Sequence, residues 1–352
     1  MIPGPEQAPD IDVTMSLSRR GYVPRAIWPI LSRRMEYKRN PTAVNKRRAI
    51  GLKWVLVTSY GYLRFREFKL GLGSSHMAVC AYARDTLVRA MRMAEERGFT
   101  VVHGIVDSLY IHKKGITEEE ARTFCSELEA EFGIPCSMDC VFTWIAFLPS
   151  INDPSRPVPA RYFGAMRSGE IKVRGLEMRQ RNTPRIVKEF QRAIITMMGE
   201  CSEASHMRKR VPHMIRALHA TIKRIPSLDA TWLSRTIYLG KTDYVNDTAQ
   251  RQVVQALQAQ GITARAGEKI TYVHTVRGAV SADSYVGDVD VEIYRRLLVR
   301  SLFVVLQTLG YEWQTVEMMA EGQTTLLSHG RVEDVDLYTR ESQALQGILG
   351  VH

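Results

Sequence analysis

Between His76 and Arg97, the apolar residues Val79, Leu87, Ala90, Met91 and Ala94 fall on one flank of a helix turning about 100° per residue. Gly98 closes that helix. Upstream, Pro24 opens a helix that runs to about Arg39 and ends at Asn40-Pro41. A second helix runs from Thr42 to about Tyr60, with Gly61 near its end, so the tight Asn-Pro turn makes an antiparallel helical hairpin. Gly71–Ser75 reads as a flexible break. Residues 1–19, with Pro3, Pro5 and Pro9 and no apolar period, read as an irregular leader.

Beyond Gly98 the pattern changes to β-branched and aromatic runs. FTVVHGIV and DSLYIHKK predict paired strands about a turn at Gly104–Ser108. Thr117, followed by three glutamates, supplies an N-cap and early acids for a helix to about Phe132. CVFTWIAFLP is another strand, and RYFGAMRSGEIKVRGLE is a hairpin around Arg167-Ser168-Gly169. From Thr183 onward the pattern is mostly helical, with a strand piece near GEKITYVHTV. The fold class expected from this order is α+β, and no internal repeat interrupts it.

Composition narrows the classes. With 352 residues, 45% apolar and 24% charged, the chain has an ordinary globular composition with room for two or three domains. Its longest apolar runs, Trp54–Val57 and Leu302–Leu306, are far short of a membrane span, so no membrane association is expected. The polar, acidic N-terminus has no signal-peptide pattern, and the five scattered cysteines argue against a disulfide framework, so a cytoplasmic, reducing setting is expected.

The net charge of +11 is concentrated. Residues 1–75 carry 14 Lys/Arg against 5 Asp/Glu, whereas residues 76–178 carry 12 against 14 and residues 179–352 carry 22 against 18. A polyanion-binding surface and a solvated Arg-rich helix face are both open on charge alone. On the first helix Arg34 and Lys38 share a face at i, i+4; on the second, Lys53 and Tyr60 lie about two turns apart on one face, while Arg48 is turned about 140° from Lys53. A cation with an aromatic two turns further on can hold a triphosphate and stack under a base. The other reading makes Tyr60 core and Lys53 a surface charge. Asp107, at the tip of a β-turn, is held rigidly enough to ligate a metal, although an isolated turn Asp is usually a turn former. Cys136-x₃-Cys140 lacks a second ligand pair, His103 and His112 read as structural, and Arg208-Lys209-Arg210 is either a DNA contact or a solvated face.

Together these segments resemble the catalytic part of a family B DNA polymerase. PRAIWPILSRRMEYKR and RRAIGLKWVLVTSYGYLRF resemble the two fingers helices, the second with Lys, six residues, then Tyr-Gly. GIVDSLYI resembles the palm turn, RYFGAM…IKVRGLEMRQRNTP the palm hairpin that grips the primer, and Leu239–Val276 together with DVDVEIYRRLLVRSL the thumb. The forms HGIVDS and KWVLVTSYGY look closest to the divergent second archaeal paralogue. The resemblance implies a right-hand fragment: leader 1–19, helical-hairpin fingers 20–75, antiparallel-sheet palm 76–178 and mostly helical thumb 179–352. It implies templated transfer of dNTP to a primer 3′ end, with Asp107 catalytic and binding Mg²⁺. Arg34, Lys38, Arg48, Lys53 and Tyr60 would hold the nucleotide, and Ser108, Arg161, Tyr162, Lys172 and Arg174 the primer–template DNA.

The departures from the family are substantial. Ile105 replaces the first Asp of the palm turn, Val57 an Asn, Pro159-Ala160 a Lys pair, and Asn182 a common Asp. The first palm motif and the exonuclease have no counterpart, since Asp10 and Asp12 lack that motif's flanks. The two-metal site is therefore incomplete, and an upstream partner chain carrying the exonuclease and first palm motif is expected to complete it. The alternatives are a catalytically inactive DNA-binding remnant, an accessory factor, or a sequence that has lost its N-terminal half.

Overall fold

The computed structural model describes residues 5–16, 20–322 and 348–351. Pro5–Gln7 (β1) and Thr14–Ser16 (β2) pair antiparallel, so the segment expected to be irregular holds a short ladder. The helical hairpin follows as Tyr22–Arg39 (α1) and Ala43–Tyr62 (α2). Thr42 starts α2 because its side-chain oxygen accepts the Asn45 N–H at 3.2 Å. The next helix, Gly73–Glu96 (α3), starts inside the expected flexible break. Thr100–Ile105 (β3) and Ser108–His112 (β4) flank the Asp107 turn, and Glu118–Phe132 (α4) follows, with Thr117 Oγ1 accepting the Glu120 N–H at 3.1 Å.

The chain then forms Met138–Pro149 (β5), Pro157–Met166 (β6) and Ile171–Arg174 (β7). The expected helical remainder begins as Arg185–Gly199 (α5), Ala204–Arg224 (α6) and Ala230–Leu233 (α7). Three strands interrupt it: Arg235–Tyr238 (β8), and, after Ala249–Ala259 (α8), Lys269–Thr275 (β9) and Gly278–Ser281 (β10). They make an antiparallel sheet in the order β10-β9-β8. Val291–Leu306 (α9), Trp313–Ala320 (α10) and Ile348–Val351 (β11) complete the described elements; residues 323–347 of the expected thumb lie outside them.

Two compact units result, residues 1–109 with 124–137, and residues 110–123 with 138–351. In the first, Ala78, Ala81, Ala90 and Ala94 are the buried residues of α3. Phe99 meets Phe124 at 5.2 Å between ring centroids, and Arg97 pairs with Glu127 at 2.5 Å. In the second, β11, β5, β6 and β7 lie side by side with antiparallel pairing. Behind this sheet Trp144, Phe163, Leu176, Ile194, Met214, Leu298 and Leu302 build one apolar core. Trp144 donates its indole N–H to the Cys201 carbonyl at 2.9 Å, satisfying the polar tip of a buried ring. Gln191 is fully buried on α5: it accepts the Met178 N–H at 2.8 Å and donates to Glu177 at 2.8 Å and to the Ser301 carbonyl on α9 at 3.1 Å. Arg208 donates to the Leu309 carbonyl and Arg210 pairs with Glu200, so part of the basic cluster on α6 serves packing within this unit.

No described helix is long and apolar enough to cross a membrane. The five cysteines are free thiols.

Candidate nucleotide and primer site

Asp107 occupies a two-residue turn. Its neighbour Val106 has φ +55°, a left-handed conformation that a β-branched residue adopts at a cost of about 1–3 kcal/mol. Positive φ at the first turn residue is the position that favours glycine in tight hairpins. Val106 also stands 76% exposed, so the strained tip carries an apolar side chain into solvent. Asp107 is exposed, and Ser108, itself buried, donates its hydroxyl to Asp107 Oδ1 at 3.4 Å. Ser108 therefore holds the carboxylate and offers little surface for the DNA contact expected of it. Among the described residues, no group of three or more His, Cys, Asp or Glu side chains could hold a metal ion. Asp10 is engaged with Arg84 at 3.7 Å. The carboxylates among the described residues do not fit a two-metal site.

The hairpin of α1 and α2 gathers the other nucleotide candidates in the same unit. Arg34 is half-buried on α1, and its Nε is enclosed without a hydrogen-bond partner. A buried guanidinium N–H lacking an acceptor is a rare arrangement that an anion would satisfy. Lys38 and Lys53 are exposed, and Arg48 lies over the Tyr37 ring at 5.7 Å. Among the described residues, none of these four cations makes a salt bridge. Tyr60 is not core: it is 39% exposed, one face stacked on His76 at 4.5 Å with 23° between planes. Its hydroxyl lies 2.8 Å from Cys80 Sγ, and this hydrogen bond is the main cause that raises the phenol's pKa. His76 and Cys80 were missed in the sequence, although their i, i+4 spacing on α3 puts them on one face.

In the second unit, β6 and β7 align Tyr162 with Arg174 and Gly164 with Lys172. Arg161 donates to the Gly175 carbonyl at 3.2 Å and approaches Glu177 at 3.5 Å. Gly175, at φ +67°, sits where an added Cβ would strike the Ala160 carbonyl, so only glycine allows this close approach. Lys172 pairs with Asp139; burial alone would lower its pKa, but Asp139 and Cys140 raise it overall. Tyr162 is a correction to the expected set. It is only 4% exposed and its hydroxyl lies 2.7 Å from that of Tyr110, so it packs the sheet instead of facing a DNA backbone. Arg174 is exposed, and Arg161 half-exposed.

The fold is α+β, mixing helices with antiparallel sheets. The model matches the family B DNA polymerase from Pyrobaculum calidifontis with a TM-score of 0.60 and 18% identity, over 88% of this chain and 41% of that one. In sequence, the chain is 32% identical over 196 residues to DNA polymerase 2 of Saccharolobus solfataricus, 56% of this chain and 29% of the relative. It is 26% identical over 227 residues to a DNA polymerase of Archaeoglobus fulgidus, 63% of this chain and 27% of the relative. A scan against protein-family models finds no match. The likeness to family B DNA polymerases expected from the motifs is thus present in both sequence and fold. The chain spans less than a third of the length of these two sequence relatives.

Proposed function

We propose that the chain is the fingers, palm and thumb part of a DNA polymerase, adding deoxynucleotides from dNTP to the 3′ end of a templated primer. The observation that carries this reading is the enclosed Arg34 Nε, on a helical hairpin whose Lys38, Arg48 and Lys53 make no salt bridge among the described residues, in a chain related to DNA polymerases. In this reading Arg34, Lys38, Arg48 and Lys53 hold the triphosphate, and Tyr60, backed by His76, offers its free face to the nascent base pair. Arg161 and Arg174 meet the phosphate backbone of the primer–template, contacts that carry no sequence information and weaken with salt. Lys172 supports that hairpin through Asp139. Family B polymerases imply Mg²⁺, but the carboxylates among the described residues do not assemble its site. Asp107 would be one carboxylate of that site, and the other belongs to polypeptide outside these 352 residues, in the form of an upstream partner carrying the exonuclease and first palm motif.

One observation favours a second reading, a DNA-binding remnant without catalysis: the lack of a metal-holding cluster among the described residues, together with Ile105 at the palm turn. Nucleotide binding separates the two. With primer–template present, Lys53→Ala should weaken dNTP binding by about tenfold or more and leave DNA affinity nearly unchanged. Equal dNTP affinity in wild type and variant would remove Lys53 from the proposed role.

A further inference from the structure

Neither α1 nor α2 contains a buried residue. Helices of this length draw most of their stability in proteins from packing an apolar face. α1 and α2 pack against each other, and on α2 Leu52, Leu56 and Ser59 make one half-buried stripe. At about 100° per residue, Lys46, Lys53, Tyr60 and Arg64 make a second face, the one assigned above to the nucleotide. The third face is apolar and open. Ile50, Trp54 and Val57 lie along one side of it and Val44, Val55 and Tyr62 along the other, each 46–65% exposed. Gly51 and Gly61 lie within it, and a Cβ on either would meet nothing within 4 Å among the described residues, so none of these covers them.

We propose that this third face of α2 docks an amphipathic helix of a partner protein whose apolar stripe is flanked by Asp and Glu. Charge decides the flanks. α2 carries Lys46, Arg47, Arg48 and Lys53 and no carboxylate. Arg47 lies inside the apolar arc, Arg48 on one border, and Lys46 and Lys53 beyond the other. An acidic rim on the incoming helix meets these cations, and charge complementarity of this kind selects the partner and speeds encounter. A second copy of the chain would set the same cations against one another. Aliphatic chemistry decides between protein and nucleic acid. Four of its six residues, Val44, Ile50, Val55 and Val57, have no π face on which a base can stack, and of the two rings Tyr62 already packs on Phe65 and Phe68, leaving Trp54; side chains at such spacing are the anchors by which helices dock. Its apolar anchors do not depend on the nucleotide reading, because they lie on a different face of the helix; of the flanking cations, Arg48 and Lys53 are shared with that reading.

The test is fluorescence anisotropy with two labelled peptides of about 20 residues. Both carry leucines at i, i+3, i+4 and i+7; one is flanked by Glu and the other by Lys. The full chain should bind the Glu-flanked peptide about tenfold or more tighter than the Lys-flanked one. The double variant Ile50→Ser, Trp54→Ser should lose that binding while keeping its melting temperature, since both side chains are exposed. Equal affinity for the two peptides, failure to bind either, or binding that survives the double variant would overturn the proposal. Oligo(dT) binding lost in the same variant would reassign the face to nucleic acid and overturn it equally.

Discussion

His274 on β9 is a titrating residue whose effect on stability has a defined sign. Burial, reinforced by the nearby Arg235, holds its imidazole down to about 4 from an ordinary 6.5. Its Nε2 is enclosed without a partner, and the rings of Tyr272 and Tyr294 stand edge-on to it at 5.2 and 6.2 Å. Between pH 6.5 and about 4 the unfolded chain binds the proton and the folded chain does not. Stability should therefore fall as the pH drops through that window and be indifferent to this residue above it. His274→Phe keeps a ring and removes the titration. Melting temperatures from pH 8 to pH 4 should fall less steeply in the variant, and parallel curves would contradict the assignment. At the same scale, reading the sequence identified Asp107, Lys53 and Tyr60 as residues of interest but could not rank their surroundings. Whether Tyr162 faced DNA or the core depended on its partner Tyr110, 52 residues away, and no local pattern encodes that pairing.

The helices and strands were legible where one period dominated. The fingers-like hairpin, the Asp107 turn and the β6–β7 hairpin are found within a few residues of their expected bounds, because Asn-Pro, the glutamate-rich N-terminus of α4 and Arg167-Ser168-Gly169 are local signals. The small sheet of β8, β9 and β10 was legible only in its middle strand. β8 and β10 have 4 residues each, too few to display a period, and their pairing is set by contacts beyond their own segments. The junction between α5 and α9 was equally silent, since Gln191 reads as a surface residue until its three partners are seen. Gln191→Leu would remove the acceptor of the Met178 N–H and the donor to Glu177 and to the Ser301 carbonyl. That should cost about 2–3 kcal/mol and lower the denaturant midpoint. An unchanged midpoint would mean that water or rearrangement replaces the amide.

Across the whole molecule, the charge excess and the missing carboxylate point to one division of labour. Thirteen of the 48 Lys and Arg residues fall within 20–70, around the hairpin assigned to the triphosphate, while the Asp107 turn stands without a second acidic anchor among the described residues. On the proposed reading, such a chain would hold nucleotide and primer–template and would need a further carboxylate for the chemistry. Primer extension in Mg²⁺ measures this most directly, with the chain assayed alone, then with a polypeptide carrying the exonuclease and first palm motif, then with Asp107→Ala in the same mixture. The account predicts extension only in the mixture with wild-type chain, and loss of extension in Asp107→Ala with primer–template affinity changed by no more than about twofold. Extension by the chain alone that the added polypeptide leaves unchanged, or no extension in any mixture, would contradict it.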